Sequence, residues 1–195
     1  MLPLVYTQIP YALLFWLTLL ASSTIELLGP ARWKGSGEKA DRGQRSTIVL
    51  NTSMALGIGF CLVLPLVFPQ ATLRQPLLFV GGVVLVLVGM GWRWYAIREL
   101  GRYFTGAIVI RKDHQVVQTG PYKVIRHPAY TGILISGIGT GLMVGNILSL
   151  LALMVGMFVG LWYRIAVEEQ ALRTSLGPAY EAYMQRTKRL IPFVF

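Results

Sequence analysis

Residues Tyr130–Ile165 read YTGILISGIGTGLMVGNILSLLALMVGMFVGLWYRI, with no acidic or basic residue before Arg164. A helix needs about 20 apolar residues to cross a bilayer. The stretch is too long for one crossing and too apolar for a surface in water. Near its middle stands Gly145-Asn146, a turn dipeptide. The reading is a helical hairpin in lipid, with a short, glycine-rich first arm.

Upstream lie three more apolar runs, at about Leu4–Leu28, Thr47–Phe68 and Leu77–Ile97. The expected fold is therefore an all-α integral membrane protein of about five transmembrane helices, the last two forming the hairpin. Composition agrees. The 195 residues are 54% hydrophobic and 13% charged, against about 25% charged in soluble domains. Residues 1–97 are read as three N-terminal helices with a polar loop at 29–46. Residues 98–195 are read as a catalytic half: a polar segment 98–129, the hairpin 130–165 and a C-terminal helix 166–195.

A net charge of +10 first suggests a nucleic-acid binder. Its placement excludes that class. Sixteen of the 18 Lys and Arg residues fall in the loop 29–46, the segment 98–128 and the tail from 164. Positive loops on one side are a topology signal. They place the N-terminus outside and the C-terminus in the cytoplasm. The first run lacks a basic n-region and is too long for a signal peptide. A multi-pass protein of a prokaryotic inner (cell) membrane is expected. Gly137/Gly141 and Gly156/Gly160 are spaced for close helix contact in lipid. Glu26, near the inner end of the first run, is a carboxylate at the membrane boundary. The single Cys61 forms no internal disulfide, and the two histidines, 13 positions apart without a cysteine pair, argue against a metal site.

Chemistry-bearing residues concentrate twice. The first stretch is Asp113–Gly132, DHQVVQTGPYKVIRHPAYTG, which holds both histidines, His114 and His127. Pro128 keeps His127 out of the α region and suits the first turn of the next helix. Arg126 and His127 thus sit at a helix N-terminus, whose positive dipole end and added cation favour an anionic group. The second is Arg164–Gln170, RIAVEEQ. Arg164 and Glu168, four apart, share a helix face. The tail from Leu176 through Tyr183 to Arg189 suits an amphipathic helix on the membrane. Fingerprints of Rossmann, P-loop, GxSxG and HExxH type are lacking.

Joined in order behind hydrophobic spans, these motifs resemble the isoprenylcysteine carboxyl methyltransferases and their prokaryotic relatives. The resemblance rests on Leu100–Thr105, on Gly120-x-Tyr122-x-x-x-Arg126-His127-Pro128-x-Tyr130-x-Gly132, on Glu168-Glu169, and on Gly177-Pro178-x-Tyr180-x-x-Tyr183 with Arg186. It implies S-adenosyl-L-methionine held by a cytosolic cap. Cofactor contacts would come from His114, Gln115, Val116, Val117, Tyr122, His127, Pro128, Ala129 and Tyr130. Arg164 and Glu168 would be the catalytic, substrate-side pair. The partners implied are a lipophilic or prenylated substrate and membrane lipid, with no nucleic acid. Relatives often carry a longer acidic run where this chain has Gln170. Phospholipid N-methyltransferases resemble the same motifs. Two further classes stay open: a sterol-type membrane reductase using NADPH, and a non-enzymatic membrane scaffold.

Overall fold

In the computed structural model, residues 1–31, 38–39, 41–104, 109–110 and 115–191 are described, with backbone alone at 25–31, 38–39, 41–42 and 109–110. His114 and the side chain of Glu26 lie outside the described residues. The chain order is α1 (Leu4–Thr7), α2 (Ile9–Ala31), β1 (Glu38–Lys39), α3 (Asp41–Val67), α4 (Pro76–Leu100), β2 (Val109–Ile110), α5 (Pro128–Val144), α6 (Ile147–Leu176) and α7 (Pro178–Arg186). Among the described residues, the only extended pairing between named strands is β1 against β2, antiparallel, Glu38 opposite Ile110. It lays the loop before α3 beside the segment after α4.

Among the described residues, three helical stretches are long and apolar enough to cross a membrane: Gly43–Val67, Pro76–Tyr103 and Ile147–Leu176. The apolar stretches Ile9–Thr24 and Pro128–Val144 are shorter. The protein is an integral, multi-pass membrane protein. The helices turn toward lipid what a soluble protein would hide; Leu77, Val155 and Trp162 are exposed. The first apolar run is not one rod, since it breaks at Gln8 between α1 and α2.

Close backbone approach sets the helix order. α4 packs on α5 and α3 on α6. In the first pair, Gly82 and Gly89 face Gly139 and Gly132. A Cβ on Gly82 would come within 2.6 Å of the Gly139 carbonyl oxygen, and one on Gly132 within 2.7 Å of that of Gly89. Seven residues are two helical turns, so both contacts lie on one seam. In the second pair, a Cβ on Gly156 would meet the Ser53 carbonyl oxygen at 2.6 Å. The Gly156/Gly160 motif therefore packs this chain's own helices, as does Gly137 against Met157.

The hairpin turn is built by its two central residues. Gly145 is left-handed (φ 69°) and ends α5. Asn146 is buried and caps α6 by accepting from Ser149 N at 3.1 Å. Its amide donates to Phe68 O and Thr72 Oγ1 at 3.1 and 3.0 Å. At the other pole α6 runs on without a break to Leu176, so residues 166–176 continue the spanning helix rather than start a separate one. Gly177, at φ 53°, then turns the chain into α7.

Candidate active site

The pole where α4 and α6 end and α5 begins carries a polar cap. Pro128 opens α5, with His127 at φ −123°, ψ 55°, outside the α region. Ahead of it, residues 124–127 pair with 188–189. Arg126 N donates to Lys188 O at 2.7 Å, His127 N to Arg189 O at 3.0 Å, and Lys188 N to Val124 O at 3.1 Å. Glu169 locks this ladder to α6. One oxygen accepts from Arg126 Nε at 2.8 Å, and the other from Arg189 Nε and Nη2 at 3.1 and 3.0 Å. Glu169 is only 4% exposed. Arg126 also donates to the carbonyls of Met184 and Thr187.

The anion that the Arg126 charge was expected to attract is therefore the protein's own Glu169. Arg126 is a structural tie. His127 is 5% exposed and stacks on Tyr130 with ring centroids 5.6 Å apart. Its Nε2 lies 3.4 Å from Glu169 Oε1. That is within ion-pair reach, but the atom has no aligned hydrogen-bond partner among the described residues.

Arg164 and Glu168 meet through a third residue. Tyr130 accepts from Arg164 Nε at 3.2 Å and donates to Glu168 Oε2 at 2.7 Å. Arg164 is 4% exposed. Its Nη1 donates to Gly43 O at 3.1 Å and to Ser46 Oγ and Thr47 Oγ1 at 2.8 Å each. The start of α3 thus fixes the guanidinium plane. Consecutive helical residues point about 100° apart. Glu168 therefore faces the Arg164 side while Glu169 faces the tail.

Beside this group opens a cavity of about 600 Å³ between α2, α3, α4, α5 and α6. Its walls are mostly apolar, with Phe15, Met54, Leu62 and Leu153 among them. Arg93, Tyr130 and Arg164 close one end. Arg93 donates to Ala129 O at 3.1 Å; no motif in the sequence marks it, because it stands alone within an apolar run.

Of the cofactor residues expected from the resemblance, Gln115 is exposed and Val116 and Val117 are half-buried. Val117 packs with Tyr122 and Ala129 against Ala96 and Ile97 of α4. Tyr122 is buried, and its carbonyl accepts from Tyr183 Oη at 2.8 Å. Burial, with the Glu168 charge second, pushes the Tyr122 phenol well above its ordinary value. Burial likewise raises Tyr180 and Tyr183. The tail aromatics thus turn inward onto the cap instead of lying on a membrane surface.

Fold and site together define a polytopic membrane protein with a mostly apolar cavity that ends at a buried guanidinium. Residues 82–174, just under half of the chain, match the isoprenylcysteine carboxyl methyltransferase (ICMT) family. The chain is 37% identical over 115 residues to protein-S-isoprenylcysteine O-methyltransferase B of Arabidopsis thaliana, covering 58% of each chain. It is 33% identical over 141 residues to protein-S-isoprenylcysteine O-methyltransferase of Saccharomyces cerevisiae, covering 69% of this chain and 59% of the yeast protein. The solved structure of the eukaryotic intramembrane Ras methyltransferase ICMT superposes with a TM-score of 0.57 at 25% identity, covering 80% of this chain and 55% of that one. The chain thus spans somewhat under 60% of the length of these relatives.

Proposed function

We propose that this protein is an S-adenosylmethionine-dependent carboxyl methyltransferase acting on an isoprenylcysteine-like or other lipophilic acid. The observation that carries the reading is the cavity of about 600 Å³ ending at Arg164 and Tyr130. An apolar chain suits its walls, and a carboxylate suits the guanidinium at its end.

The cap suits the methyl donor. Buried His127 Nε2 lacks an aligned partner among the described residues, and the half-buried Glu168 offers a carboxylate to a cation. Gln115, Val116, Val117, Tyr122, His127, Pro128, Ala129 and Tyr130 would hold the donor, with His114 beside them in sequence. S-adenosylmethionine supplies an electrophilic methyl group on a sulfonium.

A carboxylate acceptor is already nucleophilic, so no proton has to be removed. Arg164, held by three oxygens of α3, orients it. Tyr130 links the guanidinium to Glu168, whose carboxylate would meet the donor's positive charge. Fixing the two partners at attack distance supplies about 7–11 kcal/mol, and excluding water there would strengthen these contacts. The clustering of basic residues supports a cytoplasmic site and an N-terminus outside, in a prokaryotic cell membrane.

Titration calorimetry with S-adenosylhomocysteine and with NADPH tests the class. Binding of the first alone supports the reading; binding of NADPH alone overturns it. Label transfer from methyl-labelled donor then compares N-acetyl-S-farnesylcysteine with phosphatidylethanolamine. A labelled methyl ester supports the carboxyl reading, and a labelled headgroup moves the chain to amine methylation.

A further inference from the structure

Inside the cavity, most polar walls are already satisfied. Ser22 and Ser23 donate to Leu19 O at 2.8 and 2.9 Å. Thr47 donates to Gly43 O and Thr140 to Ser136 O, each at 3.0 Å. These are side-chain-to-backbone bonds of the kind hydroxyls make in membrane helices.

Asn51 differs. It is an exposed residue of α3 that lines the same cavity. Its amide carries two donors and an acceptor. Yet it makes no hydrogen bond among the described residues. In a lipid setting an unpaired amide is costly. Asn51 stands one turn from Thr47, on the same face of α3. Thr47 Oγ1 accepts from Arg164 Nη1 at 2.8 Å. Four residues at 1.5 Å rise put the amide about 6 Å further into the cavity than that contact.

We propose that Asn51 is a specificity-determining residue that hydrogen-bonds a polar group on the acceptor's own chain. A carboxylate on Arg164 would bring chain atoms roughly three to five positions below it to the depth of Asn51, about 6 Å in. The preferred acceptor is then a long-chain acid bearing a hydroxyl, oxo or amide group at that depth, not a plain hydrocarbon acid. A site that hydrogen-bonds such a group discriminates against the analogue without it, because its own polar group is left unpaired. The inference rests on the cavity being the acceptor site.

The test uses the full chain in phosphatidylcholine nanodiscs. Hexadecanoate and its 3-, 4- and 5-hydroxy derivatives are titrated onto wild type, Asn51→Leu and Asn51→Ala. The expected result is that one hydroxy acid binds wild type about tenfold more tightly than hexadecanoate. Both variants lose that preference by weakening the hydroxy acid alone, while S-adenosylhomocysteine binding is kept. Equal affinity of all four acids for wild type overturns the proposal, as does a preference that survives both substitutions. Methyl transfer is scored separately on the same acids. A binding preference without methylation of any acid counts against carboxyl methylation and leaves Asn51 in its role. Methylation without any preference does the reverse.

Discussion

Arg164 and Glu168, one turn apart on α6, are joined by the Tyr130 hydroxyl, which accepts from the first at 3.2 Å and donates to the second at 2.7 Å. The first turn of α5 thus sets the relation between two α6 side chains. Tyr130→Phe keeps the ring but removes both bonds. Hydrogen bonds to charged groups are worth about 1.5–3 kcal/mol, which is about a 10- to 100-fold loss of kcat. Donor-product affinity should fall much less. Unchanged kcat in a label-transfer assay would exclude the linking role.

Arg164 also ties α6 to the start of α3 through Gly43, Ser46 and Thr47. Arg164→Ala should abolish measurable turnover while S-adenosylhomocysteine still binds by calorimetry. Arg164→Lys should recover little, since an ammonium does not reproduce the planar fork. Wild-type turnover in either variant would remove Arg164 from the acceptor site.

Glu169 and Arg126 form a buried pair, and Glu169 also holds the partly exposed Arg189. Glu169→Ala leaves Arg126 without its carboxylate, and breaking a buried pair this way costs about 3–5 kcal/mol. The tail should become protease-sensitive well below the temperature at which the spans unfold. Glu169→Gln should lie between. Protection equal to wild type in the alanine variant would show that the 124–127 and 187–190 segments are held by backbone bonds alone.

Buried Tyr122, Tyr180 and Tyr183 have phenols raised above their ordinary value. The folded cap therefore keeps protons that the unfolded chain gives up at about pH 10. This stability is complete below about pH 10 and declines above it as the unfolded state ionises. Melting temperature in detergent should decline above that pH, and Tyr180→Phe with Tyr183→Phe should shallow the decline. A decline of the same steepness in the double variant would assign it to other groups.

Gly89 and Gly132 leave no room for a side chain at the α4–α5 seam. Gly132→Val should prevent stable packing of α5 and give aggregated protein in size-exclusion chromatography. A monodisperse, folded Gly132→Val protein would show that the seam opens at little cost.

Hydropathy was enough to read a helical membrane protein, because a lipid-crossing segment must be predominantly apolar and must satisfy its own backbone. The Gly145-Asn146 turn was legible for a local reason: glycine takes the left-handed conformation that ends α5, and asparagine caps α6. So were the stretches that supply the site, since charge and histidine stand out against apolar surroundings. What those residues touch was not legible. Arg126 looked like an anion site until Glu169, 43 positions later, proved to face it. Arg164 and Glu168 were legible as neighbours on one helix face, but the Tyr130 hydroxyl between them was not. Arg93 and Asn51 gave no signal, because one polar residue in an apolar run says nothing of which way it points. Sequence determined the solvent of each segment and the kinds of group available. Only the packing of α3 on α6 and of α4 on α5 decided which groups meet, because each helix exposes several faces and the choice among them is made by its neighbours.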